Sequence, residues 1–581
     1  MTDKKKNIKR SNITRLILGI VILLLVNIIA SFIFTRFDLT SEKRYSLSPA
    51  TKKMLKGLHD EVLFKVYLEG DLPPGFRRLA NETKEMLDEF RAYSDNIQYE
   101  FVNPSDNPNQ KERNDAYKLL VERGLQPTEI RVNKKGQASQ LIIFPGAIVT
   151  YRSHEVAAQL VISQLGQDAD KALNTSVQSL EYNLASAIQK LVIPVKPQVA
   201  FIEGQGELSG LETWDAENAL KEFYNVERVT INHKINSLSM RLKGEKGDKL
   251  VNKYRAIIIA KPTTPFDEKD KFLIDQFIMR GGKVLWLIDP VFASMDSLSK
   301  YSSTMGLVNN INLEDMLFNY GVRLNTNLVM DKIAMPIPIM TGQIGDQPQF
   351  DFFPWYFFPV LTPTINHPIV NGLNAIKTEF ISSLDTIEVK GVKKTILLTT
   401  SPYSRIVNAP VFIDLGILKK PPEDRLYNKG PQPVAVLLEG NYLSSFQYRI
   451  PPELSGNSDF QFQPFSTKPT KMIVVTDGDI IKNQFHASQG KVLPLGYDQW
   501  TRQTFGNRDF LLNAMNYLCD ESGLISVRSR ELKLRMLDST KLEHQRLFWQ
   551  ILNVVFPLLL VVIFGIVKMR IRSRKYSRPR V

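Results

Sequence analysis

Cysteine is almost absent from this chain of 581 residues, which contains only Cys519. A single cysteine cannot form an internal disulfide, and no Cys-x-x-Cys pair is available for redox chemistry. Large domains outside the cytoplasm do not require disulfides, so the count is compatible with a bacterial periplasm. The surrounding sequence, FLLNAMNYLCD, has the spacing of a buried helix. We therefore interpret Cys519 as a core residue and not as a nucleophile.

Three catalytic motifs are also absent. The chain has no Walker loop for ATP, no Gly-x-Ser-x-Gly elbow of a serine hydrolase and no His-Glu-x-x-His zinc helix. The histidines are too dispersed along the chain to indicate a metal site: His59, His154, His233, His367, His486 and His544. We therefore expect no cofactor and no ATP hydrolysis by this chain itself.

The middle of the chain lacks an excess of charge of either sign. The formal net charge is +14, but residues 1–15 and 568–581 hold 13 of the 74 basic residues and only 1 of the 60 acidic residues. The other 552 residues therefore carry 61 basic and 59 acidic side chains, a net charge of +2. A basic surface for nucleic acid is not indicated, because the basicity belongs to the two tails.

Two segments lack charge altogether. Residues 16–35 and 548–567 are each 20 residues long and strongly apolar, which is enough for a helix to cross a hydrocarbon core of about 30 Å. A cleaved signal peptide is the alternative for the first segment, but its apolar run is too long and no Ala-x-Ala-like site follows. The basic tails then place both termini in the cytoplasm, and residues 36–547 outside it. We predict a two-pass protein of the bacterial inner membrane.

The first region outside the membrane, residues 36–197, has the pattern of an α/β domain. Ser48 is placed as a helix N-cap before Pro49, and a strand, a helix and a second strand follow up to "IQYEFVNPSD". A polar helix, Gln110–Arg123, precedes a hairpin-like pair around "QASQLIIFPGAIVTYRS". The order of elements predicts a thioredoxin-like fold.

Residues 198–520 repeat a strand-helix-strand pattern. "VAFIEG", "YRAIIIAKP", "KVLWLIDP" and "KMIVVTDGD" are continuous apolar strands, as expected where helices cover both faces of a sheet. They predict a doubly wound α/β sheet, interrupted by a proline- and aromatic-rich insertion at residues 330–370. Residues 521–547 then connect this domain to the second membrane segment.

The turn "FIEGQGELSG" places Gly204, Gly206 and Gly210 between a strand and a helix. Such glycines can bring the backbone close to a phosphate at a helix N-terminus. Here the spacing is one residue longer than the dinucleotide fingerprint, and acids surround the turn with no basic residue between positions 201 and 220. We interpret it as a tight crossover turn and not as a nucleotide site.

Acidic residues recur where predicted strands end. Ligand crevices of open α/β sheets lie at the carboxyl ends of the strands, so these side chains could converge. Converging carboxylates could bind a hard cation or act as acid and base. The alternative is that acids simply begin loops and cap helices. The candidate ligand or metal residues are Glu203, Glu207, Asp289, Asp477 and Asp479.

Aromatic residues cluster in the insertion, within residues 352–363. Clustered aromatics dominate protein interfaces, so this stretch is a candidate docking surface. Packing across two domains is an equally good interpretation. The residues in question are Phe352, Phe353, Trp355, Tyr356, Phe357 and Phe358.

Several stretches, in this order, resemble the GldG family of gliding-motility-associated ABC-transporter auxiliary proteins of Bacteroidota. They extend over nearly the whole chain and include "RFDLTSEKRYSLSPAT", "FIEGQGEL", "FIMRGGKVLWLIDP", "HPIVNGL", "VAVLLEG", "VVTDGDIIKNQ" and "FGNRDFLLNAMNYLCDESGLISVRSRELKLR". The resemblance implies a separate cytoplasmic ATPase and a separate polytopic permease as partners. It also implies that residues 198–520 resemble the class I glutamine-amidotransferase-like fold. The nucleophilic cysteine of that fold is absent here, so amidotransferase activity is not expected.

Two functions remain open. The first is a non-enzymatic subunit of an ABC transporter complex associated with gliding motility, whose domains outside the cytoplasm bind a substrate, an envelope polymer or a gliding protein. The second is an enzyme outside the cytoplasm that acts on an envelope glycan or peptide through the strand-end carboxylates. A structural tether that binds no small ligand is a weaker third possibility.

Overall fold

The structure is a computed structural model, and its contacts divide the chain into two units. One unit comprises Met1–Arg44 and Glu531–Val581, and the other comprises Tyr45–Arg530. Within these units the structure describes residues 13–27, 46–134, 137–161, 168–193, 195–243, 248–345, 347–450, 461–486, 489–529 and 545–576. Most of the two basic tails and most of the connector at residues 521–547 lie outside the described residues.

The smaller unit contains two apolar helices. Helix α1, Ile13–Asn27, is short, and the rest of the first predicted membrane segment lies outside the described residues. The other helix, Arg546–Arg574, has 29 residues. The residues of its most apolar stretch are not buried. By length and composition it can cross a membrane. Of the two predicted spans, the described residues therefore contain one helix of sufficient length, and the two-pass topology stays a prediction.

The larger unit begins with a helix whose start follows from local chemistry. Pro49 occupies the first turn, and the Ser48 hydroxyl accepts a hydrogen bond from the Thr51 N–H. The elements that follow are α2 (Pro49–Lys56), β1 (Val62–Val66), α3 (Pro74–Tyr93), β2 (Ile97–Phe101), α4 (Gln110–Glu122), β3 (Thr128–Lys134), β4 (Gln137–Ile143), β5 (Gly146–Tyr151), β6 (His154–Gln159), α5 (Ala169–Gln178) and α6 (Leu180–Val192).

These strands form a four-stranded sheet in the order β2-β1-β5-β6, beside a separate β3-β4 hairpin. Strands β1 and β2 are parallel, which confirms the predicted strand-helix-strand unit. The predicted hairpin between β4 and β5 is wrong, because β4 pairs with β3 while β5 pairs with β6 and β1. Phe144 and Pro145 separate the two strands, and proline has no N–H for a ladder, so the chain changes sheets there.

Residues after 197 build a seven-stranded sheet. From one edge to the other its strands are β21 (Val392–Thr399), β24 (Pro433–Gly440), β25 (Thr470–Val475), β12 (Lys283–Leu287), β11 (Ala256–Ala260), β7 (Gln198–Glu203) and β8 (Asn225–Thr230). Strands β25, β12, β11, β7 and β8 run parallel, whereas β24 and β21 are antiparallel at one edge. The elements involved are β7 (Gln198–Glu203), α7 (Trp214–Lys221), β8 (Asn225–Thr230), β11 (Ala256–Ala260), α8 (Glu268–Met279), β12 (Lys283–Leu287), β21 (Val392–Thr399), β24 (Pro433–Gly440), β25 (Thr470–Val475) and α11 (Asn507–Cys519). The mixed α/β class is as predicted.

Helices cover both faces of this sheet, which explains its continuous apolar strands. Every residue of β11 and of β12 is buried. Along β12, Leu285 and Leu287 pack in one cluster with α7 and α11, while Val284 and Trp286 pack in another with α8. Alternate residues of one strand therefore fill two different cores.

The insertion at residues 330–370 contains a long hairpin formed by β17 (Ala334–Ile344) and β18 (Gln347–Leu361), and the large unit also contains several smaller sheets. These elements are β9 (Ser239–Leu242), β10 (Lys249–Asn252), β13 (Val291–Phe292), α9 (Met295–Tyr301), β14 (Ser303–Val308), α10 (Glu314–Tyr320), β15 (Val322–Leu324), β16 (Asn327–Asp331), β17 (Ala334–Ile344), β18 (Gln347–Leu361), β19 (Ile376–Lys377), β20 (Leu384–Thr386), β22 (Ser404–Asn408), β23 (Val411–Asp414), β26 (Tyr497–Asp498) and β27 (Gln503–Thr504).

Candidate functional site

The carboxyl ends of β11, β12 and β25 bring four charged side chains together. Lys261 follows β11 directly, Asp289 follows β12, and Asp477 and Asp479 follow β25. Because the three strands are parallel neighbours, these residues emerge at one edge of the sheet. We call them the strand-end cluster. Three of the five predicted acids belong to it.

Lys261 lies at the centre of the strand-end cluster. Its Nζ atom is 3.2 Å from Asp289 Oδ2 and also donates to Asp479 Oδ2. Backbone N–H groups donate hydrogen bonds to two further carboxylate oxygens. The Gly478 N–H donates to Asp289 Oδ1 at 2.5 Å, and the Asp479 N–H donates to Asp477 Oδ1 at 2.8 Å. The ammonium therefore occupies the position that a metal cation would take between these carboxylates.

The cluster is removed from solvent. Asp477 is fully buried, and the Asp289 side chain is 5% exposed. Burial raises the pKa of both carboxyl groups, and repulsion from neighbouring carboxylates raises the pKa of Asp477 further. Burial alone would lower the pKa of Lys261, but Asp289 and Asp479 outweigh it and raise that pKa. Lys261 is therefore charged, and Asp477 retains a proton more readily than an ordinary aspartate.

The backbone holds Lys261 in an unusual conformation. Its φ is +58°, in the left-handed region that a residue with a Cβ rarely adopts. Gly478 packs against it so closely that a Cβ at position 478 would lie 2.5 Å from the Lys261 Cβ. Glycine at position 478 thus permits the approach of the two loops that forms the cluster.

The other two predicted acids lie elsewhere. Glu203 pairs with Arg228 of β8, which also binds Glu217 at 2.6 Å and donates to the Leu208 carbonyl. Arg228 therefore connects the turn after β7 to the neighbouring strand β8 by hydrogen bonds and ion pairs. Part of the acidic charge around this turn is therefore compensated by Arg228, which lies outside residues 201–220.

Glu207 differs from the remaining candidates. Its Oε2 accepts a hydrogen bond from the Gln205 N–H at 2.7 Å, while its Oε1 is buried without a hydrogen-bond partner among the described residues. Burial raises the pKa of this carboxyl group. A protonated Glu207 would have one hydroxyl to donate, so of the five acids it is the one with unused hydrogen-bonding capacity.

Among the residues that the structure describes, no group of three or more histidine, cysteine, aspartate or glutamate side chains is arranged to hold a metal ion. Asp289 and Asp479 already share the Lys261 ammonium, and Asp477 accepts hydrogen bonds from the Glu379 and Asp479 N–H groups. A divalent-metal site that joins residues 203–207 to 477–479 is thus not supported by this geometry.

The aromatic candidates divide between core and surface. Trp355, Phe357 and Phe358 are buried in a hydrophobic cluster, and Tyr356 and Phe353 are partly buried. Phe352 is 49% exposed. The division follows position along β18: Trp355, Phe357 and Phe358 lie in the half of the strand that packs into this cluster, whereas Phe352 lies nearer the turn of the hairpin.

Sequence reasoning missed an apolar face on the outer half of the hairpin. Met340 lies opposite Phe350, and Pro338 lies opposite Phe352, so all four share one face. Phe350 also contacts Trp500, with ring centroids 6.2 Å apart. Met340, Phe350, Phe352 and Trp500 are each more than 40% exposed. We call Met340, Phe350, Phe352 and Trp500 the hairpin face.

Sequence reasoning also missed the two basic residues that pair with predicted acids: Lys261 pairs with Asp289 and Asp479, and Arg228 pairs with Glu203. The available signal for Lys261 was its position: it follows a buried strand directly, as the acids do. No comparable signal exists for Arg228, because it lies within a strand and meets Glu203 only through the parallel pairing of β7 and β8.

Comparison with known proteins gives matches over most of the chain. Residues 196–514 match the family model described as an ABC-type uncharacterized transport system, and residues 41–150 match a domain of unknown function. An uncharacterized protein of Borreliella burgdorferi is 20% identical over 577 residues, which cover 98% of this chain and 99% of that protein. The solved mmIFT52 N-terminal domain aligns with 55% of this chain and 97% of its own length, at 11% identity and a TM-score of 0.30.

Proposed function

Because the chain belongs to the family of the ABC-type uncharacterized transport system, we propose that it is a membrane-anchored, non-enzymatic auxiliary subunit of an ABC transporter complex. A separate ATPase subunit supplies ATP hydrolysis, since the sequence has no Walker loop. A separate polytopic permease forms the path through the membrane. The family match over more than half of the chain is the observation that carries this proposal.

The apolar helix Arg546–Arg574 supports a membrane anchor. Its exposed apolar side chains require lipid or the helices of another membrane protein, and a permease embedded in the bilayer would supply such helices. We propose that residues 16–35 and 548–567 both cross the inner membrane and that the large unit lies in the periplasm. The basic tails at both ends support this orientation.

The strand-end cluster supports a non-enzymatic role. Its lysine, Lys261, is engaged by two carboxylates, of which Asp479 also pairs with Lys482 at 3.8 Å. The third carboxylate, Asp477, is buried and bound to backbone N–H groups. Such a closed set of ion pairs stabilises a loop arrangement and leaves no group free to attack a substrate. The large unit then acts by binding.

The hairpin face is the docking surface we propose for a partner protein. It combines exposed aromatic and aliphatic side chains in one place, the composition of interface hot spots. Prolines in both strands, including Pro338 and Pro354, lack the N–H needed to extend the sheet, so the partner contacts the face and not the strand edge.

Association with gliding motility rests on the sequence resemblance described above. If the host cell glides, deletion of this chain should abolish gliding while the cell envelope stays intact. The bound substrate or envelope partner would then be a component of the gliding machinery or of its export route.

Co-purification from native membranes tests the proposed function. The tagged full chain, extracted in a mild non-ionic detergent, should recover one protein with a Walker loop and one polytopic protein. A tagged unrelated inner-membrane protein of similar abundance is the control. Recovery of the chain alone, also after cross-linking in intact cells, would overturn the proposal.

An enzyme acting on an envelope glycan or peptide is the second candidate, favoured only by Glu207. A buried carboxyl group with a raised pKa and one unpartnered oxygen is suited to general acid catalysis. Glu207→Gln keeps the shape and removes the acid, and Glu69→Gln, an exposed glutamate, is the matched control. Loss of motility in the first variant alone, with the complex still assembled, would favour the enzyme.

A further inference from the structure

The small sheet formed by β13, β14 and β23 is apolar on both of its faces. Val291, Val411 and Ile413 lie on one face, and all three are buried in a hydrophobic cluster. An antiparallel sheet with one covered face usually presents polar side chains on the other. The other face of this sheet instead exposes large apolar side chains, which packing within the described fold does not explain.

The strand register places these exposed side chains next to one another. Phe292 lies opposite Leu307, and Phe412 lies opposite Met305. Met305 and Leu307 are two residues apart on β14, the central strand, so all four side chains share one face. Their exposed fractions lie between 43% and 66%. We call Phe292, Met305, Leu307 and Phe412 the apolar sheet face, and a contiguous exposed patch of this kind is typical of an interaction surface.

Three lysines lie near one end of the apolar sheet face. Lys300 is in the last turn of helix α9, just before β14, and Lys419 and Lys420 follow a short 3₁₀ turn after β23. The Leu415 N–H donates to the Ser302 carbonyl at 3.0 Å, so these two segments of the chain are joined at the same end of the sheet. All three lysines are exposed. The apolar patch is therefore bordered by basic side chains on this side.

The acids of these segments do not balance the lysines. Residues 300–307 and 411–420 contain three lysines and one acid, Asp414, whose carboxylate caps the 3₁₀ turn after β23. The next acids along the chain pair with other basic residues: Glu423 with Arg425, and Asp424 with Lys332. This end of the sheet therefore carries an excess of positive charge and is suited to an anionic surface.

We propose that the apolar sheet face binds the surface of a bilayer that contains anionic lipids. Its four apolar side chains enter the boundary between headgroups and acyl chains, while Lys300, Lys419 and Lys420 bind lipid phosphates. Lysine is depleted in protein interfaces, whereas apolar side chains bordered by lysines are typical of membrane-surface binding, so the charges favour lipid over a protein partner. The chain also contains a helix that can cross a membrane, which brings it to such a surface. The proposal goes beyond the proposed function, because no transporter subunit takes part in it.

Fluorescence of the purified full chain in lipid nanodiscs tests the proposal. An environment-sensitive dye is attached at Met305→Cys in a Cys519→Ala background, so that the dye occupies one position. The nanodiscs contain phosphatidylcholine alone or mixed with phosphatidylglycerol, each with or without bromine on the acyl chains. In the mixed nanodiscs the dye emission should shift to the blue and be quenched by the brominated chains. In phosphatidylcholine alone the quenching should be weaker, because the lysines lose their anionic partners.

Further substitutions separate the charged contacts from the apolar ones. Lys419→Gln and Lys420→Gln should each lower the ratio of lipid-bound to free sheet face about fivefold, the factor for about 1 kcal/mol per lysine at an anionic surface. Higher salt should act in the same direction. Lys111→Gln, at an exposed lysine of α4, is the matched control. Phe412→Asp should abolish the quenching and leave the unfolding midpoint nearly unchanged, because Phe412 is exposed.

A dye at Phe352→Cys, on the hairpin face, controls for apolar exposure alone. We assign that face to a partner protein, which the purified chain lacks, so its dye should stay unquenched. Emission of the Met305→Cys dye as in water, or equal quenching at both positions, would overturn the proposal. A blue shift without quenching by brominated lipid would indicate a second copy or another protein surface and would overturn it too. Quenching that neither the lysine variants nor the omission of phosphatidylglycerol reduces would also contradict it.

Discussion

The Nζ atom of Lys261 lies 3.2 Å from Asp289 Oδ2, and the two residues follow neighbouring parallel strands. The same ammonium binds Asp479, which follows a third strand. One lysine therefore connects the loops after β11, β12 and β25. This arrangement turns a set of acids that resembles a metal site into an internal network of ion pairs.

Replacement of Lys261 should destabilise the large unit. Lys261→Met leaves Asp289 buried without a cation and Asp479 with only the longer contact to Lys482, at 3.8 Å. Removal of one partner from a buried ion pair costs about 3–5 kcal/mol. The unfolding midpoint in detergent, followed by tryptophan fluorescence, should fall, whereas Lys420→Met at an exposed lysine should leave it unchanged. Adding Asp479→Asn should recover part of the loss. An unchanged midpoint for Lys261→Met would show that the network contributes little.

Replacement of Glu207 should alter the pH dependence of stability. Because burial raises the folded-state pKa of this carboxyl group above 4.5, folding favours its protonated form. Its ionisation therefore costs stability as the pH rises from about 4.5 through the folded pKa. Glu207→Gln removes that cost, so its unfolding midpoint should exceed the native one at pH 7 and equal it near pH 4. Equal midpoints at both pH values would contradict the buried environment of Glu207.

Replacement of Arg228 should release the turn after β7. Arg228→Leu removes the bonds to Glu203, Glu217 and the Leu208 carbonyl, and Arg228→Lys cannot restore all of them because it lacks the forked guanidinium. Hydrogen exchange at the Gln205 and Leu208 amides should accelerate in both variants, more strongly in Arg228→Leu. Exchange within β12, which Arg228 does not contact, is the internal control. If hydrogen exchange in the turn stayed unchanged in both variants, Arg228 would not be what makes the turn rigid.

The hairpin face and the buried aromatics should respond differently to mutation. Phe352→Asp changes an exposed residue, so stability should change by less than about 0.5 kcal/mol while co-purification with the partner falls. Trp355→Ala removes a fully buried ring and should cost about 3–5 kcal/mol. Tyr403→Asp, at another exposed aromatic residue, controls for surface charge. Unaltered co-purification in Phe352→Asp would remove the hairpin face from the partner interface.

The sequence alone determined features that depend on neighbours along the chain. The Ser48 cap, the fully apolar strands β11 and β12 and the apolar helix Arg546–Arg574 were predicted correctly, because capping and hydrophobic periodicity are local. Even the convergence of Asp289, Asp477 and Asp479 was predictable, since the carboxyl ends of parallel strands meet at one edge.

Only the tertiary structure decided which residues face one another. Lys261 and Asp479 are 218 residues apart, and nothing in either local sequence selects the other. The choice of β3 rather than β5 as the partner of β4, and the burial of Trp355 beside the exposure of Phe352, likewise depend on packing between distant segments. Long-range packing therefore placed Lys261 between Asp289 and Asp479, because the three residues belong to distant segments of the chain that meet only at the ends of neighbouring strands.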